Sequence, residues 1–272
     1  MPWTTTKRLL AGLAVATTLT TAFALPVQAA NLRMAWSQDA TGLDPHKQTA
    51  FSSLRLLELI YEPLVRLDAK YNVSPAIATS WEFSADGLTL TFKLDPNAKF
   101  STGDAVTSAD VKASFERLLD EATAAAARAN FTSIASIDTP DPQTVVFHLN
   151  QPDAPILVAM SGTNASIVPA SAVADGSIGT KAIGSGPFVL DQWDPNVKEV
   201  LSPNPNWAGG KVGIDGLTIS VLPSESAIID SMRANQTDFA LFNDPTIATL
   251  IPGEAGMTLN RIPGLAYNVL QM

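Results

Sequence analysis

Residues Ser80 to Leu94 read SWEFSADGLTLTFKL. Trp81 and Phe83 precede the turn formers Ser84-Ala85-Asp86-Gly87, and beyond them Leu88, Leu90, Phe92 and Leu94 alternate with Thr89, Thr91 and Lys93. A period of two after an Asp-Gly turn predicts a hairpin with one buried face. The next stretch, VTSADVKASFERLLD (Val106 to Asp120), changes period. Thr107 and Asp110 stand at capping-box spacing, and Val111, Phe115 and Leu118 share one helical face, so a helix begins sharply there.

Working outward, NLRMAW (Asn31 to Trp36) sets Leu32, Met34 and Trp36 against polar partners and reads as a strand. A loop from Ser37 to Thr49 follows, and from Ser52 onward Leu57, Ile60, Tyr61 and Leu64 stand at helical spacing until Pro63 stops the helix. The alanine-rich run Glu121 to Ala129 is expected to continue as helical packing. TPDPQTVVFHL (Thr139 to Leu149) reads as a Pro/Asp turn and then a strand with Val145, Phe147 and Leu149 on one side. LTISVLP (Leu217 to Pro223) has the same period, Pro223-Ser224 opens a helix carrying Ile228, Ile229 and Met232, and TDFALF (Thr237 to Phe242) returns as a strand. LAYNVLQM (Leu265 to Met272) also reads as a strand, and no internal repeat or long linker divides the chain.

GSGPFVL (Gly184 to Leu190) looks at first like a phosphate cradle or a nucleophile elbow. It is neither. Pro187 and the strand-like run after it replace the helix a dinucleotide loop needs, and Ile183 and Pro187 stand where G-x-S-x-G around Ser185 requires glycines. The two glycines therefore make a backbone statement, either a positive φ or room for something to approach.

Residues 1–30 read as a secretory signal peptide. Lys7 and Arg8 precede an apolar run from Leu9 to Leu25, and Val27-Gln28-Ala29 makes a small-residue cleavage site after Ala29 or Ala30. The apolar run is short and diluted by threonine for a membrane span. With no cysteine in the chain, disulfides and a lipid-modified cysteine are both excluded, so the expectation is a free periplasmic protein. Residues 1–30 hold two basic residues and no acidic one, so their removal takes the formal net charge from −9 to −11. That balance argues against nucleic acid and anionic membrane surfaces as partners.

Chemistry is sparse. The two histidines, His46 and His148, lack the spacing and partners of a zinc site, and neither stands in a recognisable arrangement with a serine. Asp138 with Asp141 and Asp191 with Asp194 flank prolines and read as turn formers. Trp36 and Trp81 sit in strand patterns and are expected in the core, whereas Trp193 and Trp207 lie in loop-like contexts. Binding is thus the more economical reading than catalysis, and no cofactor or metal is implied.

Six segments, in this order, carry a resemblance: LRMAWSQDATGLDPH (32–46), LIYEPLVRLD (59–68), Pro75 to Asp120, IASIDTPDPQTVVFHLNQPDAPIL (134–157), IGSGPFVLDQWDPNVKEVLSPNPNWAGG (183–210) and IDSMRANQTDFALF (229–242). Together they resemble the extracellular solute-binding proteins of family 5, the dipeptide- and oligopeptide-binding class that serves ABC importers. The resemblance implies an α/β, periplasmic binding protein-like fold of the type II clamp kind, with mixed sheets flanked by helices. Residues 31–262 would form its large lobe, and 263–272 the start of a strand crossing towards a second lobe that this sequence does not contain. If the chain ends there, apolar surface is expected where that lobe would pack.

By the same resemblance, solute contacts are expected from Asp39, Ala40, Thr41, His46 and Phe51 in the loop after the first strand. Ser161, Gly162 and Thr163, with Asn164 beside them, form a second candidate segment, and Phe242, Asn243 and Asp244 a third. Gly186 is expected beside the cleft. Peptide-binding members use main-chain hydrogen bonds and roomy pockets. The implied partners are a peptide or other small solute and permease subunits in the inner membrane, the receptor itself being a monomer without enzymatic activity. Nickel chelates, opines and glycans are alternatives within the family. A non-transporting remnant with an interaction or sensory role is a second class of reading, and an exported hydrolase, lacking an evident nucleophile and base, a third.

Overall fold

The computed structural model describes residues 31–242, 244–249, 251 and 256–260, so the signal peptide expected at 1–30, Asn243 and the strand expected at 263–272 lie outside the described residues. The chain runs β1 (Asn31–Trp36), α1 (Phe51–Ile60), the small hairpin β2 (Val65–Leu67) and β3 (Val73–Pro75), then β4 (Ala78–Phe83) and β5 (Thr89–Leu94). It continues with α2 (Ser108–Leu119), β6 (Ile134–Asp141), β7 (Thr144–Leu149), α3 (Ile156–Ala159) and α4 (Ala170–Asp175). Last come β8 (Phe188–Asp194), β9 (Lys198–Pro203), β10 (Gly216–Val221), α5 (Glu225–Arg233), β11 (Phe239–Ala240) and α6 (Pro245–Ala248).

The expected hairpin is β4–β5, and it forms half of an antiparallel sheet ordered β4-β5-β7-β6. One face of that sheet, with Leu90, Phe92, Val145 and Phe147, is sealed by Val111, Phe115 and Leu118 of α2. Edge-to-face ring contacts run through this core: Phe92 to Phe147 at 5.7 Å, Phe147 to Phe115 at 5.0 Å and Phe115 to Phe131 at 5.4 Å between centroids. α2 starts where its capping box places it, the Asp110 carboxylate accepting from the Thr107 backbone N–H at 2.8 Å and hydroxyl at 2.7 Å.

Two expectations here need correction. The alanine-rich run does not prolong α2: Asp120 is extended and caps Ala122, Ala124 is left-handed at φ 52°, and the Ala126 N–H donates to the His46 carbonyl, leaving only short 3-10 turns. The TPDP stretch is not all turn either. β6 continues through Pro140 to Asp141, which an edge strand permits because that edge needs no donor, and Pro142-Gln143 alone connects it to β7.

The second sheet is mixed, in the order β11-β1-β10-β9-β8. β1 lies parallel to both β10 and β11, and β9 is antiparallel to β8 and β10. α1 covers it, packing Leu56, Leu57 and Ile60 with Trp36, Phe188, Leu201, Leu217 and Ile219. TDFALF contributes less strand than its pattern suggests, only Phe239 and Ala240, tied to β1 by Arg33 and Asp238. The exposed side chains of Phe239 and Leu241 lie at this edge.

The two cores meet at the Gly184-Ser185-Gly186 turn. Neither glycine takes a positive φ; they are there for close approach. A Cβ on Gly186 would stand 2.7 Å from the Ile60 carbonyl oxygen, while the Gly186 N–H itself donates to that oxygen at 2.8 Å and so satisfies a carbonyl left over at the end of α1. The Gly184 carbonyl accepts from the Ser101 N–H, which joins the antiparallel half to the same turn.

Candidate functional site

Because β1, β10 and β11 are parallel, their carboxyl ends open on the same side of the sheet. In open α/β sheets that side is where ligands bind. The loop Ser37–Ala50 leaves β1 there, Leu222 leaves β10 and is bonded to the Trp36 carbonyl, and Leu241 and Phe242 leave β11.

The loop is held from three directions. Asp39 accepts from the Ala40 N–H at 2.8 Å, from the Trp193 indole at 3.1 Å and from the Asn196 N–H at 2.7 Å. Thr41 is bonded to Ser53 of α1 and to Gln48. Further on, Asn164 donates its amide to the carbonyls of Pro45 (2.6 Å) and Gln48 (2.8 Å), fastening the Ser161–Thr163 segment beside the loop.

Beneath it lies a buried polar cluster. Arg117 of α2 forks onto Asp44 and also donates to Nδ1 of His46 at 2.8 Å. An arginine has no lone pair to offer, so Nδ1 is the unprotonated nitrogen and Nε2–H donates to the Ser166 carbonyl at 2.9 Å. Burial, together with the neighbouring Arg117 charge, pushes the His46 imidazole down to about 4. His46 is 0% exposed with both nitrogens committed, so it shapes the loop and has none left for a solute.

Other expected residues fall into distinct places. Phe51, 74% exposed at the start of α1, presents a bare ring beside the loop. Ala40 is buried, and Gly186 is buried at the joint, its carbonyl taken by Asn204. Ser161 and Thr163 line a cavity of about 190 Å³ with Glu58, Glu62, Arg66 and Trp207; burial raises the Glu62 carboxyl although the Trp207 indole donates to it at 3.0 Å. Gly162, between Ser161 and Thr163 in sequence, is exposed and is not part of that lining. Phe242 borders a separate cavity of about 870 Å³ around β11, with Phe239 and Leu241. Exposed Asp244 caps α6 through Thr246. Thus the loop and the 161–164 segment are brought together, whereas Phe242 and Asp244 belong to the β11 edge.

Trp193 and Trp207, open in the sequence, both anchor carboxylates, of Asp39 and Glu62. Sequence reasoning passed over Arg117 and Glu199. Only Glu199 left a signal, an acid on the same alternating face as Leu201. Among the described residues no group of three or more His, Cys, Asp or Glu is placed to hold a metal, and no helix is long and apolar enough to cross a membrane.

A family model described as "Bacterial extracellular solute-binding proteins, family 5 Middle" matches residues 72–272. The chain belongs to this family. Within family 5 it is 37% identical over 163 residues to the probable D,D-dipeptide-binding periplasmic protein DdpA of Escherichia coli K12, covering 57% of this chain and 31% of that one. It is 30% identical over 217 residues to di/tripeptide-binding protein 4 of Pseudomonas aeruginosa, covering 71% and 41%. The structure of AgaA from A. tumefaciens R10 in complex with agropinic acid superposes with a TM-score of 0.79 at 28% identity, over 83% of this chain and 46% of that one. The chain therefore spans less than half the length of these family 5 relatives, and its fold is that of part of a periplasmic binding protein.

Proposed function

We propose that the protein is a periplasmic receptor that captures peptides and delivers them to the permease of an ABC importer. The observation that carries this reading is the braced loop and the Ser161–Thr163 segment set side by side at the carboxyl end of the parallel strands, in a chain whose relatives DdpA and di/tripeptide-binding protein 4 are named for peptides. The rim is suited to a peptide backbone: the hydroxyl oxygens of Thr41 and Ser161, whose protons go to Gln48 and Val158, can still accept, the Thr163 hydroxyl lies beside them, Phe51 supplies an apolar platform, and β11 stands at a sheet edge. Backbone pairing then gives affinity and loose pockets give preference. Residues 1–30 would direct the chain to the periplasm, where it would act as a monomer.

The test is a thermal-shift and tryptophan-fluorescence screen of the purified protein against di- and tripeptides, agropinic acid, nickel chelates and oligosaccharides. A ligand that binds only the folded state raises Tm in a concentration-dependent way. A saturable rise with peptides alone is expected. A rise with another class alone, or none with any class from protein shown to be folded, refutes the proposal.

A further inference from the structure

Glu199 stands in the middle of β9 and is 0% exposed. Its register partners are Trp193 on β8 and Ile219 on β10, and its side chain points to the same side as the buried Leu201. Neither carboxyl oxygen has a donor in full hydrogen-bond geometry among the described residues; the N–H groups beside it are the buried indole of Trp36, itself without another partner, and the backbone of Ala40. The charged group that faces it is the carboxylate of Asp39 on the loop, with the Ala40 N–H near by. The flanking Lys198 is turned to Asp194 at 3.9 Å and does not neutralise it.

The half-buried Asp39 and fully buried Glu199 carboxylates repel when both are charged, and Glu199 also loses its hydration. Both difficulties disappear if one group keeps its proton, since the carboxylic acid then donates to the other's oxygen. We propose that Asp39 and Glu199 hold one proton between them, and that this proton ties the loop Ser37–Ala50 to β9, adding to the bonds that Trp193 and Asn196 make to the same loop. Asp39 is the carboxylate of the pair because it already accepts three N–H groups, from Ala40, Trp193 and Asn196. Glu199, fully buried and faced only by the Trp36 indole and by the Ala40 N–H that Asp39 already holds, is the acid. Burial first, and then the Asp39 charge, push the Glu199 carboxyl up to about 8. As pH rises past that value the proton passes to solvent, two carboxylates face each other, and the loop loses its tie to β9.

Infrared spectroscopy reads this directly, because a protonated carboxyl has a C=O stretch separate from the carboxylate bands. The wild-type protein is expected to show such a band at about pH 6.5 that disappears with a midpoint near 8. Glu199→Gln, whose amide can donate to Asp39 as the acid does, should fold and lack that band. Asp39→Asn should shift the midpoint downward. Trypsin cleavage after the exposed Lys47 should accelerate between about pH 7.5 and 9 in the wild type, relative to an unstructured peptide control, and not in Glu199→Gln. The proposal is overturned if the band is unchanged in Glu199→Gln, if no protonated carboxyl titrates between about pH 6 and 10, or if cleavage at Lys47 accelerates equally in both proteins. Should Glu199→Gln not fold, the wild-type titration and the Asp39→Asn shift decide.

Discussion

Acidification should unfold this protein partly through His46. The imidazole is neutral in the folded chain, pressed between the Arg117 guanidinium and the Ser166 carbonyl, and burial holds it down at about 4 against an ordinary 6.5. The unfolded chain therefore takes up the proton first. This contribution to stability is full above about pH 6.5, falls as the pH drops from there to about 4, and is level below. At about 1.4 kcal/mol per unit the loss is roughly 3 kcal/mol, large against a typical domain stability of about 5–15 kcal/mol. The assay is urea unfolding from about pH 7 to 4 for the wild type and for His46→Gln, in which the amide can keep both hydrogen bonds but cannot titrate. Carboxylates held down by hydrogen bonds, such as Asp68 and Asp86, act in both proteins, so the difference between the two curves isolates His46. Parallel curves would refute the reasoning, and so would an NMR titration placing the His46 ring near 6.5. Arg117→Met should raise that midpoint by removing the facing charge.

Glu199→Gln should be more stable than the wild type at about pH 9 and equal to it at about pH 4, because the raised Glu199 pKa stabilises fully below 4.5 and is lost as pH rises to about 8; denaturant midpoints at the two extremes check this. Gly186→Ala forces a methyl against the Ile60 carbonyl and should cost about 1–3 kcal/mol, the usual range for overpacking, seen as a lowered Tm. Phe51→Ala removes an exposed ring and should change stability by less than about 0.5 kcal/mol while weakening peptide binding in calorimetry; unchanged affinity would remove Phe51 from the site.

What the sequence disclosed was local. The β4–β5 hairpin, the Thr107–Asp110 capping box and the Ser224 cap of α5 are contacts within a few residues, and each is where the pattern put it. What it hid was long-range. Nothing around Gly186 announces that Ile60 will sit against it, so a turn and a close approach looked alike until the partner was known. His46 looked like a residue available to a solute because Arg117 and Ser166, which take its two nitrogens, are 71 and 120 residues away. The alanine run kept its helical propensity, but the His46 carbonyl draws Ala126 out of helical register. The position of β1 between β10 and β11 was not legible either, since alternation gives a strand its faces and not its neighbours.

That position also sets an order of assembly. The antiparallel sheet is complete once residue 149 is available, its strands all drawn from 78–149. β1, the first strand after residue 30, pairs Asn31 with Gly216 and Met34 with Phe239, so its partners are among the last described segments to emerge from a ribosome or a translocation channel. Contacts this distant in sequence form slowly, and an unpaired strand edge is prone to aggregate. During N-terminus-first emergence, Leu32, Met34 and Trp36 wait without a sheet while the half downstream of them has already closed.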